Sequence, residues 1–216
     1  MTIVALGPMD LAALLCSRVC HDVISPVGAI VNGLEVLEDE KDAEMREVAI
    51  QLIKKSASSA SARLQFCRLA FGAAGSVGAS VDTGDAEAVT RGLIANDRTT
   101  LVWKPARQFA PKNKVKLLLN LSLIAMAAIP RGGVVTVDLT GQDESLAIRV
   151  EAKGPNMRVA HGVADHIAGR PENGAVDAHT IQPFFTGLVA RECGMEVAIS
   201  FAADTVTLEA KPAAAA

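Results

Sequence analysis

The sequence has no tyrosine, one tryptophan and six phenylalanines in 216 residues. That poverty argues against base-stacking platforms and against an aromatic-lined ligand groove. It also lacks an excess of basic charge: 21 Lys and Arg stand against 24 Asp and Glu. A net charge of −3 gives no general attraction to nucleic acid or to acidic membranes, so neither is expected as a partner. Long apolar runs are missing too. The N-terminal stretch Leu11 to Leu15 is soon interrupted by Arg18, His21 and Asp22, and no basic segment precedes it. A membrane span of about 20 residues and a signal peptide are therefore not expected, and the location expected is cytoplasmic. No CxxC pair occurs. Cys16, Cys20, Cys67 and Cys193 sit in apolar, helix-like surroundings and read as buried thiols in a reducing compartment. His161 and His166 are five apart, not the four of a helical metal pair, and with His179 they lie in or near a loop-rich segment. No metal site is expected.

What is present is globular: half the residues are apolar and 21% charged. The two halves differ in texture. Residues 8 to 73 read as two long helices. Pro8 and Asp10 suit a first helical turn, and Leu11, Leu15, Val19, Val23, Val27, Ile30, Leu34 and Leu37 form an apolar stripe. The charged run Glu38 to Glu44 ends it. A second stripe follows at Ala49, Ile53, Ala57, Ala60, Leu64, Cys67 and Phe71. Two helices joined by a short polar turn make an antiparallel hairpin, and two helices alone enclose no core. The simplest remedy is a second copy, giving a four-helix bundle in a homodimer.

Gly72 to Ser80 reads as a linker. Residues 80 to 210 then read as an α/β domain. Strands are expected at Thr100 to Trp103, Val134 to Leu139, Leu146 to Ala152, Val197 to Phe201 and Val206 to Ala210. Helices are expected at Lys112 to Ile129, at Thr180 to Cys193 and, shorter, near Val159 to Ala168. Helices grouped between antiparallel hairpins predict a two-layer α/β sandwich.

His21 falls roughly opposite the first stripe, at about 100° per residue, on a face shared with Leu14, Arg18, Ser25, Gly28 and Asn32. A histidine there is solvated and reachable. Small side chains at 25 and 28 leave room for a partner, with Leu14 as an exposed apolar anchor. Asp22 follows directly, and Pro26 removes one helical hydrogen bond and predicts a local bend. Lys54, Lys55 and Arg63 read as the solvated face of the second helix, a basic rim that an acidic partner could meet.

The run CHDVISPVGAIVNGLEVL, Cys20 to Leu37, resembles the phosphoacceptor box of bacterial histidine kinases: His, an acidic residue, then Pro five later. The phosphoacceptor of that box maps onto His21. The second half resembles the kinase ATP-binding domain (the Bergerat or GHKL type) with its chemistry missing. LLLNLSLIAMAAIPRGGVVTV, Leu117 to Val137, is similar to the asparagine-box helix; Asn120 is present, but the Mg²⁺-binding asparagine is replaced by Ile124. In VEAKGPNM, Val150 to Met157, the adenine-reading aspartate falls on Ala152 and a glycine on Asn156. In TGLVARECGMEVAIS, Thr186 to Ser200, only Gly187 remains of a glycine run.

A kinase-like dimerisation hairpin joined to a degenerate ATPase domain resembles the histidine phosphotransferases of the bacterial cell-cycle phosphorelay, over nearly the whole chain. That resemblance implies a relay. His21 takes a phosphoryl group from the receiver domain of a hybrid kinase of the CckA type and passes it to response-regulator receivers of the CtrA and CpdR type. It implies no ATP and no cofactor, Mg²⁺ being supplied by the receiver, and Asp22 as a residue that orients the ring. Two alternatives stay open at this point: an ATP-dependent sensor kinase, and a module that only binds regulators.

Overall fold

The computed structural model describes residues 3–72, 79–94, 96–172 and 174–213. Two helices, α1 (Pro8–Asp39) and α2 (Ala43–Ala70), form an antiparallel hairpin. The charged segment between them builds the turn. Glu40 Oε1 accepts from the backbone N–H groups of Lys41 and Asp42, each at 2.8 Å, and Asp42 Oδ1 caps α2 by accepting from Glu44 N at 3.0 Å. Arg46 reaches back to the carbonyls of Leu37 and Glu40, satisfying the end of α1. The helices approach closely at Gly33, the one buried residue of α1. A Cβ there would stand 2.7 Å from Ile53 Cγ1. The helix continues through Pro26 without interruption.

The rest of the chain is an α/β body. In order it contains β1 (Ser80–Asp82), α3 (Thr83–Ile94), β2 (Thr99–Trp103), β3 (Phe109–Pro111), α4 (Lys112–Ala128), β4 (Gly133–Thr140), β5 (Ala147–Lys153), α5 (Val163–Ile167), α6 (Ile181–Glu192), β6 (Met195–Ala202) and β7 (Thr205–Pro212). Five strands form a mixed sheet in the order β2-β4-β5-β7-β6. The β2–β4 pair is parallel and the others antiparallel. β1 and β3 make a separate two-stranded ribbon. Alternation along β5 and β7 points Ile148, Val150, Ala152, Val206, Leu208 and Ala210 inward. Leu117, Leu121 and Ile124 of α4, with Val189 and Ala190 of α6, cover that face.

A second core has no counterpart in the sequence reading. Phe66 and Ala70, at the end of α2, are sealed against Ala86 of α3, Val115 and Leu119 of α4, and Leu146. The base of the hairpin is thus part of the body's interior. Its far end is bare: Ile24, Val27, Val31 and Leu34 of α1 and Val48 and Leu52 of α2 are all exposed. The first stripe therefore divides, with Val27 and Leu34 facing outward and Leu11, Leu15, Val19 and Val23 half-buried.

Several expectations are corrected. α3, β1 and β3 occupy residues to which the sequence reading assigned no element. α3 carries two glycines and two threonines in twelve residues, which dilutes its helical signal. Most of the glycine-rich linker, residues 73–78, lies outside the described residues. Cys16 and Cys20 are exposed and Cys193 half-buried, so only Cys67 is a buried thiol. α1 is long and apolar enough, by length and composition alone, to cross a membrane, contrary to the reading of interrupted apolar runs. Its charged residues are spaced widely enough to leave such a window.

Candidate functional site

His21 projects from the middle of α1 with its side chain 68% exposed. One ring nitrogen, Nδ1, lies 3.5 Å from Asp22 Oδ1. Asp22 is held in turn by Arg18 one turn earlier, whose Nε donates to Oδ2 at 3.0 Å. The Asp22 carboxylate is mostly buried while the ring it faces is open to solvent. A proton on Nδ1 suits that neighbour, which leaves the Nε2 lone pair free.

Beneath Asp22 is a small cavity of about 50 Å³, between the hairpin and the body. Arg18, Asp22 and Arg63 line it with Cys67, Leu123 and Met126. Arg63 is therefore half-buried beside Asp22 and reaches Ser59 Oγ at 3.4 Å, rather than lying on the solvated face of α2; Lys54 and Lys55 are exposed. Burial, and then the Asp22 carboxylate, push the Cys67 thiol up to about 11, so it stays protonated and unreactive. Burial does the same to Cys193.

Sequence reasoning passed over His179. The segment before α6 folds on Asp177, whose Oδ1 accepts from the backbone N–H groups of His179 and Thr180, both at 2.9 Å, and from Thr180 Oγ1 at 2.8 Å. Those bonds, that from the Thr180 side chain first, hold the Asp177 carboxyl below the usual range. The turn sets the His179 ring against that of His21, edge to face, with centroids 5.9 Å apart and planes at 81°. Phe71, which caps α2, and Phe185 of α6 meet with ring centroids 5.8 Å apart. Nothing in a lone loop histidine signals this. The contact exists because α6 packs beside α1.

The other residues of the His21 face are mixed. Ser25 and Asn32 are exposed, and a Cβ on Gly28 would meet nothing within 4 Å. Leu14 is half-buried, not the exposed anchor expected. Arg18 is committed to Asp22.

The kinase-like positions lie elsewhere. Ile124 and Ala152 sit in the main core, 5% and 0% exposed, with Met157, Val159 and Val163 packed on the same cluster. A nucleotide needs a carboxylate and a metal-binding oxygen there and finds a methyl-lined interior, so the residues present do not fit one. Asn156 is exposed on a left-handed turn, φ 55°, away from that interior. Asn120 is fully buried and spent on structure: its Nδ2 donates to Ala70 O and Lys116 O at 3.1 and 2.9 Å, and its Oδ1 accepts from Gln182 Nε2 at 3.2 Å. Gly187 is needed for packing, since a Cβ would stand 1.9 Å from Ile167 O. Among the described residues no three His, Cys, Asp or Glu side chains gather as a metal site.

A family model described as the histidine phosphotransferase C-terminal domain matches residues 83–205. The chain is 49% identical, over 96% of its length and 98% of the other's, to protein phosphotransferase ChpT of Brucella abortus (strain 2308). It superposes on a solved structure of a bacterial phosphotransferase with a TM-score of 0.89 and 46% identity, over 98% of this chain and 100% of that one. The chain belongs to the family of histidine phosphotransferases that includes ChpT.

Proposed function

We infer that the chain relays phosphoryl groups between aspartates of receiver domains, with His21 as the acceptor. The observation that carries this is the exposed His21 ring, backed on one nitrogen by Asp22 and open at the other. Nε2 attacks the phosphorus of a receiver's aspartyl phosphate. The N–P bond forms as the bond to the carboxylate oxygen breaks, and the carboxylate leaves with its electron pair. The proton on Nδ1 stays where it is. The ring becomes cationic beside the Asp22 carboxylate, which Arg18 holds in place. The second receiver's aspartate reverses the step. Mg²⁺ belongs to the receiver in this scheme, and ATP has no role, because the interior around Ile124 and Ala152 is filled.

Ser25, Gly28 and Asn32 form the docking surface nearest the ring, with Leu14 and Arg18 at its lower edge. The receivers are those the sequence resemblance implies: that of a hybrid kinase of the CckA type as donor, and those of CtrA-like and CpdR-like regulators as acceptors. The exposed apolar residues at the far end of the hairpin support a homodimer through a four-helix bundle. They also account for the apolar length of α1 without a membrane, in keeping with a cytoplasmic protein. The test is incubation with a receiver domain charged by acetyl phosphate, followed by locating acid-labile phosphate. Label on wild type but not on His21→Ala is expected. Label that persists on the variant would refute the assignment.

A further inference from the structure

Resting on that reading of His21, we propose that His179 is a positioning residue for phosphoryl transfer: its ring, carried by the body, fixes the plane of the acceptor imidazole so that Nε2 faces the incoming phosphorus. An exposed histidine on a helix turns freely about its side-chain bonds, and each unproductive rotamer removes a fraction of encounters. Two contacts limit that freedom here. Asp22 meets Nδ1 at 3.5 Å, too long a contact to hold the ring alone. His179 supplies the second, edge to face at 5.9 Å and 81°, an arrangement aromatic rings favour. The backbone of His179 is itself fixed, because Asp177 holds its N–H and that of Thr180 at the start of α6. The acceptor is thus oriented jointly by its own helix and by the body, so the body contributes to transfer without touching a nucleotide.

Asp22, itself held by Arg18, meets the His21 ring, and Asp177 stands beside His179. The ring contact is separable from the rest of the imidazole by substitution. His179→Phe keeps an aromatic edge and removes the ring nitrogens; His179→Ala removes both. The His179 side chain is exposed, so both variants keep the fold and the dimer.

The experiment measures single-turnover transfer from a receiver domain charged by acetyl phosphate, for wild type, His179→Ala and His179→Phe, between pH 5.5 and 8. Receiver affinity is read by calorimetry, and the His21 tautomer by nitrogen NMR. Positioning predicts that His179→Ala lowers the transfer rate constant about three- to tenfold at every pH. Affinity stays within twofold, and the His21 nitrogen shifts move toward those of a free histidine. His179→Phe stays within about twofold of wild type. A wild-type rate for His179→Ala, or loss of rate in His179→Phe equal to that in His179→Ala, would overturn the proposal while leaving His21 as acceptor. Absence of label on wild-type protein would overturn the parent reading and this one with it.

Discussion

Replacing Asn120 by alanine separates two histories for the same residue. If Asn120 were a surviving nucleotide ligand, its loss would change nucleotide affinity and leave stability nearly untouched. The structure makes it a clamp instead. Fully buried, it ties Ala70 O at the end of α2 to α4 and accepts from Gln182 of α6, so three elements meet at one amide. The alanine variant loses three hydrogen bonds of about 1 kcal/mol net each. Alanine's better helix propensity returns about 0.5 kcal/mol. Gln182 keeps Asn120 O and Thr186 Oγ1 as partners, so no orphaned amide adds to the loss. A net cost of about 2.5 kcal/mol follows, or a fall in Tm of about 5–10 °C for a chain of this length. Urea and thermal unfolding give the magnitude. Hydrogen exchange gives the place, with the largest loss of protection over residues 66–70. A change under about 0.5 kcal/mol, or exchange unaltered at the base of α2, would refute the clamp.

Four further outcomes follow from other parts of the structure. Gly187→Ala puts a methyl against Ile167 O and should destabilise by about 3 kcal/mol or more, measured in urea; a neutral result would mean that α5 moves freely. Arg107 forks onto Asp82 at 2.6–3.0 Å and, with the N–H of Gly84, holds that carboxyl low. Stability from this pair is present above the unfolded carboxylate value of about 3.9 and is lost as pH falls through the lower folded value. Arg107→Ala should accordingly lower stability at pH 7 and hardly at pH 2; equal losses at both would break the argument. Gly28→Phe, projecting into open space beside His21, should slow transfer from two different receivers mainly through a faster off-rate and leave assembly unchanged; wild-type rates would place docking elsewhere. Val31→Glu with Leu34→Glu, both at sites 48% exposed in the single chain, should give a folded monomer by light scattering at low micromolar concentration; a persistent dimer would move the interface off the far end of the hairpin.

The legible parts of the fold were those where one physical signal dominates. Pro8 and the charged run from Glu38 marked both ends of α1 because proline at a first turn and a polar turn leave little else for the chain to do. The alternating strands β4, β5 and β7 declared themselves because one face is sealed and the other wet. The illegible parts depend on contacts between distant segments. Phe66 and Ala70 read as the tail of a hairpin stripe, and nothing local says that α3 and α4 close over them. Nor does the stripe show which of its members face α2 and which face outward, since Leu15 and Leu34 are alike in sequence and differ only in what lies opposite.

The site divides in the same way. His21 was legible because a polar residue opposite an apolar stripe has one place to go, and Asp22 and Pro26 around it resemble a known box. Gly28 was legible as open space because its neighbours on that face are small. Arg63 was misplaced because it lies where the hairpin meets the body, and helical periodicity carries no information about a second unit. The His179 contact was invisible for that reason too, although it stands against the His21 ring. The residues lost to sequence reading thus cluster at one junction. There Asn120 ties α2 to α4 and α6, while Ile124 and Ala152 fill the interior behind it. The body closes over the base of the hairpin, and through His179 it reaches the His21 ring.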